Sequence, residues 1–424
     1  MNARLIRVIF GLLLFGLAAV ALGIWWIERD ESLPFTPTTE AFVATPQQIE
    51  RGAYLARAGN CAACHTPRGG AAYAGGLGIA TPFGTVFSSN LTPDAATGLG
   101  QWSAADFWRA MHHGRSRDGH LLYPAFPYTS YTLINRDDSD ALFAYLRSLA
   151  SVSQPNQPHL LDAPYRSQAA LALWRALFFK PISFAPENAK SPEWNRGAYL
   201  VRGLGHCAEC HAQRNALGAV EAPLELRGGP IPMQHWYAPS LAAAHEAGVS
   251  QGDVEATIAL LKSGVAEGRS AMGPMAEVVY RSTQYLRDDD LRAMVVYLKD
   301  LPPNQPETRH GTAASQTTQF SDGEKIYSLH CADCHGKHGE GAQGAYAPLA
   351  GNRALRLTTP TNLVQAVLNG GYAPATATNP RPYGMPPFRQ ILDDREIAAV
   401  LTYIRQAWGN AAPPVSELDV MQNQ

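Results

Sequence analysis

The chain has 424 residues, 34 basic and 36 acidic, for a formal net charge of −2 at pH 7. So even a balance offers no basic field to nucleic acid or any other polyanion. A hydrophobic share of 46% suits a folded chain of about two to four domains, not a disordered or fibrous one.

At the N-terminus Arg4 and Arg7 precede a charge-free apolar run from Val8 to Ile27. At about 1.5 Å per residue this run reaches across a hydrocarbon core of about 30 Å. Trp25 and Trp26 stand at its outer end, and the arginines assign the N-terminus to the cytoplasm. Ala19-Val20-Ala21 offers the competing reading of a cleaved leader, against which the apolar run continues to Ile27. The expectation is one retained anchor with its linker over residues 1–43. The remainder then lies on the periplasmic side of a bacterial inner membrane.

The six cysteines all fall in one motif written three times. The copies are Cys61-Ala62-Ala63-Cys64-His65, Cys207-Ala208-Glu209-Cys210-His211 and Cys331-Ala332-Asp333-Cys334-His335. Cys-x-x-Cys-His attaches c-type haem: the thiols add across the vinyl groups and the adjacent imidazole ligates the iron. Zinc would want a further Cys or His pair at similar spacing, and a thioredoxin-like pair would want a βαβ setting. Three covalent haem c groups are therefore expected, with His65, His211 and His335 as proximal ligands.

The surrounding elements repeat with the motif. In the first repeat Arg51-Gly52-Ala53-Tyr54-Leu55 opens a helix into the haem turn. Ser103 and Asp106 form a capping box before a helix through Met111, Gly114 ends it, and Asp137-Asp138 opens an amphipathic helix carrying Tyr145. The second repeat has Arg196-Gly197-Ala198-Tyr199-Leu200, Gly264, and Asp288-Asp289-Asp290 before Tyr297. The third has Asp322-Gly323-Glu324-Lys325-Ile326-Tyr327, Gly370, and Asp393-Asp394 before Tyr403. The fold expected is all-α, with three tandem cytochrome c-type domains at 44–153, 191–304 and 319–410 behind the N-terminal helix. A Pro-rich apolar linker covers 154–190, a polar linker 305–318, and a disordered tail 411–424. The apolar block Leu171–Phe179 reads as packing, or as the border of a quinone site. Asn90-Leu91-Thr92 reads as an incidental glycosylation sequon.

The sixth iron ligand is usually Met or His. Met385, in Tyr383-Gly384-Met385-Pro386-Pro387, serves the third haem. Met275, after Gly273-Pro274, serves the second and leaves Met272 to packing. In the first repeat the same alignment brings Phe126, which cannot ligate iron, to the methionine's place. The candidates there are Met111 first, His120 second, then His112 or His113, or no protein ligand.

Several stretches together resemble one family. They are Gly78-Ile79 to Thr85, Asn90-Leu91-Thr92-Pro93-Asp94, Thr97-Gly98-Leu99-Gly100, Leu122-Tyr123-Pro124-Ala125-Phe126-Pro127-Tyr128, Arg196-Gly197-Ala198-Tyr199-Leu200 and Gly273-Pro274-Met275. They resemble the tri-haem cytochrome c subunits of membrane-bound bacterial dehydrogenases of alcohol, aldehyde and gluconate type. The resemblance implies a chain with no substrate-oxidising site of its own. Such a chain takes electrons from a periplasmic dehydrogenase catalytic subunit and passes them to ubiquinone in the inner membrane. Alcohol and gluconate types carry methionine where Phe126 stands. Pro124-Ala125-Phe126-Pro127, with Thr81-Pro82-Phe83-Gly84-Thr85 and Trp194-Asn195-Arg196-Gly197, is more similar to cytochromes that accompany molybdenum-hydroxylase-type aldehyde dehydrogenases. The implied partner is a molybdopterin subunit with an iron–sulfur subunit, the alternative a PQQ- or FAD-dependent alcohol or gluconate dehydrogenase. From a different class, a vacant first iron would permit peroxidase-like chemistry.

Overall fold

The computed structural model describes residue 10 and residues 42–249, 253–303 and 317–424. The chain gathers into two compact units: residues up to Gly52 with Gly78–Phe184, and Ala53–Leu77 with Ala185–Gln424. Three modules are expected from the sequence, yet packing divides the chain in two. The reason is that the segment carrying the first haem motif packs with the later repeats, and those repeats interlock.

Helix α1 (Pro46–Ala58) spans the boundary between the units and leads into α2 (Cys61–His65) of the second. In the first unit, hairpin β1 (Gly78–Thr81) and β2 (Gly84–Phe87) is followed by α3 (Ala104–His113), α4 (Tyr128–Tyr131) and α5 (Arg136–Ser148). Strand β3 (Leu160–Leu161) then pairs antiparallel with β2, Gly84 opposite Leu161, and α6 (Gln168–Phe178) closes the unit. Helix α3 begins at the capping box: Asp106 N–H donates to Ser103 Oγ at 3.1 Å, and Ser103 N–H donates to Asp106 Oδ2 at 3.0 Å. Asn90 and Thr92 are 2% and 0% exposed, and Asn90 Nδ2 donates to the Val152 carbonyl at 2.8 Å. The sequon is thus a buried tie between two loops, closed to a glycan. In α6 only Leu171 and Arg175 are buried; the Arg175 guanidinium donates to the His113 carbonyl at 2.8 Å, and Leu173, Leu177 and Phe178 remain exposed.

The second unit runs α7 (Pro192–Tyr199), a π-helical turn through Leu204, α8 (Ala208–His211) and hairpin β4 (Gly229–Ile231) with β5 (Trp236–Ala238). It continues with α9 (Val254–Ser263), hairpin β6 (Val265–Ala266) with β7 (Arg269–Ser270), α10 (Gly273–Arg281) and α11 (Asp288–Lys299). Then follow α12 (Thr318–His330), α13 (Ala332–His335), α14 (Thr361–Asn369), β8 (Gly371–Tyr372), β9 (Gly384–Met385), α15 (Asp394–Gln406) and α16 (Glu417–Met421).

One helix crossing occurs three times. A Cβ placed on Gly52 of α1 would lie 1.9 Å from the Ala141 carbonyl oxygen of α5. On Gly197 of α7 it would lie 1.9 Å from the Ala293 oxygen of α11, and on Gly323 of α12, 2.1 Å from the Ala399 oxygen of α15. The next contact in each is the Cβ of a tyrosine on the closing helix: Tyr145, Tyr297 or Tyr403. Only glycine admits so close an approach. Two of the crossings are pinned by an arginine beside the glycine: Arg51 meets Asp138 at 2.5 Å and Arg196 meets Asp290 at 2.7 Å. In the third, Asp322 occupies the arginine's place, and α15 opens instead on a capping box between Asp393 and Glu396.

Two expectations change. The tail from Ala411 packs: Val415 and Val420 are 1% and 0% exposed, and Arg405 Nε donates to the Pro413 carbonyl at 2.9 Å. Two apolar residues among prolines are too few to show a period. The single N-terminal membrane anchor is corrected as well. Among the described residues no helix is long and apolar enough to cross a membrane. Their longest helices have 13 residues, about 20 Å of rise against about 30 Å of hydrocarbon. The run Val8–Ile27, residue 10 apart, and most of the 305–318 linker lie outside the described residues.

Replacing Gly323 by Ala forces the third crossing apart and is expected to destabilise the chain by about 1–3 kcal/mol in chemical denaturation. A second test concerns Asp290, where Tyr54 Oη donates to Oδ2 at 2.5 Å. Burial pushes this carboxyl up, but the hydrogen bonds from Arg196 and Tyr54 outweigh it and hold it down at about 2. A depressed carboxyl stabilises the fold above its unfolded value of about 4 and loses that effect as pH falls toward 2. Asp290→Asn should therefore cost about 2 kcal/mol at pH 7, with the gap from the parent closing between about pH 4 and pH 2.

Candidate functional site

Each Cys-x-x-Cys-His segment forms one short helical turn at the end of a longer helix: α2, α8 and α13. One turn sets the two sulfurs and the imidazole on neighbouring positions, the arrangement needed to hold one planar group by its edge and its centre.

The third site gathers its motif around a cavity. His335 Nδ1 lies 2.9 Å from the Ala347 carbonyl oxygen. As the N–H donor in that bond, Nδ1 fixes the tautomer and leaves the Nε2 lone pair free for a metal. Burial pushes the imidazole below its ordinary range and keeps it neutral. Tyr327 Oη donates to the Gly336 carbonyl at 2.6 Å and holds the turn against α12. A cavity of about 760 Å³, counting its open mouth, is lined by Cys331, His335 and Met385 together with Leu349, Leu355, Leu363, Val367, Phe388 and Ile404. Met385 arrives on β9, paired with Gly371 of β8 directly after α14 ends at Gly370 (φ 63°).

These residues fit a haem. The cavity offers a thiol, an imidazole with one free nitrogen and a thioether, inside apolar walls. Zinc would require further Cys or His ligands, which the lining lacks. Burial also pushes the Cys331 thiol up to about 12.

In the second site His211 Nδ1 lies 2.7 Å from the Pro239 carbonyl oxygen, the same tautomer-fixing bond, and burial again lowers the imidazole. Met275 stands partly buried in the first turn of α10. The hairpin after Gly264 pairs Val265 with Ser270, and the bridge after Gly114 pairs Arg115 with Leu121. Met275 and Phe126 each follow five residues after the paired position, so the hairpins match Phe126 to Met275. In the third site Met385 is itself the paired residue, a different register. Met272, read from the sequence as packing, lines the third cavity. Nothing in the sequence beyond its place before Gly273-Pro274 distinguishes it.

Cys61, Cys64 and His65 lie on α2 in the second unit, where α2 packs against α10 and Ser282 Oγ donates to the Ala58 carbonyl at 3.3 Å. The sixth-ligand candidates lie in the first unit. Met111 is 5% exposed on α3, a core side chain. His120 is on an exposed loop with Nδ1 2.5 Å from Asp118 Oδ1. His112 stacks on Trp108 with ring centres 4.3 Å apart, and burial holds both His112 and His113 below the usual histidine range. Phe126 packs beside Tyr131 at 5.5 Å.

The family model described as cytochrome c matches residues 49–150 and 320–408. The cytochrome c subunit of alcohol dehydrogenase (quinone) from Komagataeibacter europaeus is 39% identical over 381 residues, 86% of this chain and 81% of that protein. The gluconate 2-dehydrogenase cytochrome c subunit of Pantoea cypripedii is 36% identical over 86% of each chain. A nicotinate dehydrogenase subunit of Pseudomonas putida is 40% identical over 96% of this chain and 33% of that protein.

Proposed function

The chain belongs to the family of cytochrome c subunits of dehydrogenase complexes, and on that membership we propose that it carries electrons through three covalently bound haem c groups from a dehydrogenase catalytic subunit to ubiquinone. The observation that carries the proposal is the apolar cavity that gathers Cys331, His335 and Met385. The same motif and the same glycine crossing occur twice more in the chain.

Haem supplies an Fe(II)/Fe(III) couple whose interconversion needs little rearrangement. The residues of the chain tether and tune it. Cys61 and Cys64, Cys207 and Cys210, and Cys331 and Cys334 are the covalent anchors. His65, His211 and His335 are the proximal ligands, and in the last two the Nδ1–H bond to a backbone carbonyl holds the ring in place. Met275 and Met385 are the sixth ligands of the second and third irons. For the first iron the sequence ranks Met111 ahead of His120.

For the partner, a molybdopterin subunit with iron–sulfur clusters is the reading that Phe126 supports. The relative named for nicotinate, a heteroaromatic acid, fits that class of hydroxylase substrate. A PQQ- or FAD-dependent partner is the second reading, supported by the 39% identity to the quinone-type alcohol dehydrogenase subunit.

Haem should number three per chain by pyridine haemochrome assay, falling to two in Cys331→Ala/Cys334→Ala; an unchanged count would refute the third site. Met385→His is expected to lower the midpoint potential of one component in a redox titration and leave the others. In the complex that copurifies with the chain, molybdenum and iron–sulfur are expected; PQQ or flavin in their place would select the second partner reading.

A further inference from the structure

Residues 270–281 border the third cavity and the first motif and carry the candidate ligand of the second iron, although they belong to one repeat. Ser270 and Met272 line the third cavity. Met275 is the candidate ligand of the second iron. Glu277 and Arg281, ion-paired at 2.9 Å, lie within electrostatic reach of the Cys64 sulfur, and their helix α10 packs on α2 of the first motif.

The segment is held firmly against the third repeat. Hairpin β6–β7 precedes it, and at its turn the Gly268 carbonyl accepts the Arg353 N–H at 3.1 Å. Arg353 also donates to Asp253 Oδ2 at 3.3 Å and to the Gly248 carbonyl at 3.2 Å. Asp253 in turn pairs with Arg269 of β7. A Cβ on Gly264 would lie 2.1 Å from Pro374 Cγ, and Gln284 Nε2 donates to the Ala375 carbonyl at 3.1 Å. The third cavity therefore has one wall that its own repeat does not supply.

We propose that residues 270–281 are the electronic junction of the chain, in which Met272 seals the third haem crevice from the second repeat and so sets the potential of that haem. The proposal rests on the reading of the Cys331–His335–Met385 cavity as a haem site. Sealing matters because a wet or polar wall stabilises the ferric state, which bears the extra positive charge, and so lowers the potential. A span three residues long from Met272 to Met275 also makes the covalent path between the second and third sites short. Met272 acts here as a positioning and sealing residue, with Met385 the ligand.

The test is a redox titration of the full, haem-loaded chain carrying Met272→Gln or Met272→Leu, with Met385→His marking the third component. The glutamine variant is expected to lower the component that Met385→His also displaces, leaving the other two unmoved. The leucine variant should restore the parental value and keep the methionine–iron charge-transfer bands. If the chain holds three haems and Met385→His moves one component, but Met272→Gln moves none or a different one, the junction is refuted. Loss of a charge-transfer band in Met272→Leu would make Met272 an iron ligand and overturn the sealing role. If Met385→His moves no component, the haem reading of the cavity fails first, and this proposal with it.

Discussion

The structure depends on the approach of two helices to within carbonyl contact at a glycine. Gly52, Gly197 and Gly323 each bring the opening helix of a repeat onto the closing helix, and a single methyl group at any of them would overlap a backbone oxygen. This contact fixes where the Cys-x-x-Cys-His turn emerges, since that turn follows each opening helix at once. In the third repeat it also sets one wall of the cavity, to which α15 supplies Val400, Leu401 and Ile404. The ion pairs of Arg51 and Arg196 hold two of the crossings in register; the third relies on a capping box and on an apolar core around Tyr327, Tyr403 and Trp408.

A second constraint acts between repeats. Tyr54, on the opening helix of the first, donates to Asp290 on the closing helix of the second, and Arg287 stacks over its ring at 4.8 Å. Arg353 of the third repeat bonds to the second at Asp253, Gly248 and Gly268. Asn362 and Tyr237 exchange two hydrogen bonds of 2.8 Å between α14 and β5. These joints are polar and specific where the interiors of the repeats are apolar. Electron carriers gain from such joints, because transfer between centres requires that their separation not drift, while each centre itself needs a dry and stiff pocket.

Much of this was legible in the chain alone. The three motifs carried the cofactor chemistry, because covalent haem attachment needs residues adjacent in sequence. The capping box at Ser103 and Asp106 and the helix-ending Gly114 and Gly264 were legible for the same reason: caps are local hydrogen bonds. Met385 lines the third cavity from the Pro-stiffened loop that the sequence shows. The buried ties of Asn90, the packed tail at Val415 and Val420, and the wall supplied by Met272 were not legible. Each depends on contact between residues 13 to more than 60 positions apart, as in the Thr402–Val415 and Asn90–Val152 bonds.

The sequence by itself determined the three Cys-x-x-Cys-His motifs, the three helix pairs and the family. All of these rest on short-range patterns: spacing within a turn, the period of a helix, the chemistry of adjacent side chains. Only the tertiary structure decided that the first motif packs with the second repeat, that the chain forms two units, and that one twelve-residue span reaches both the third cavity and the first motif. Those outcomes follow from which surfaces find complementary partners across the fold, and no local pattern records a contact whose two halves lie hundreds of residues apart.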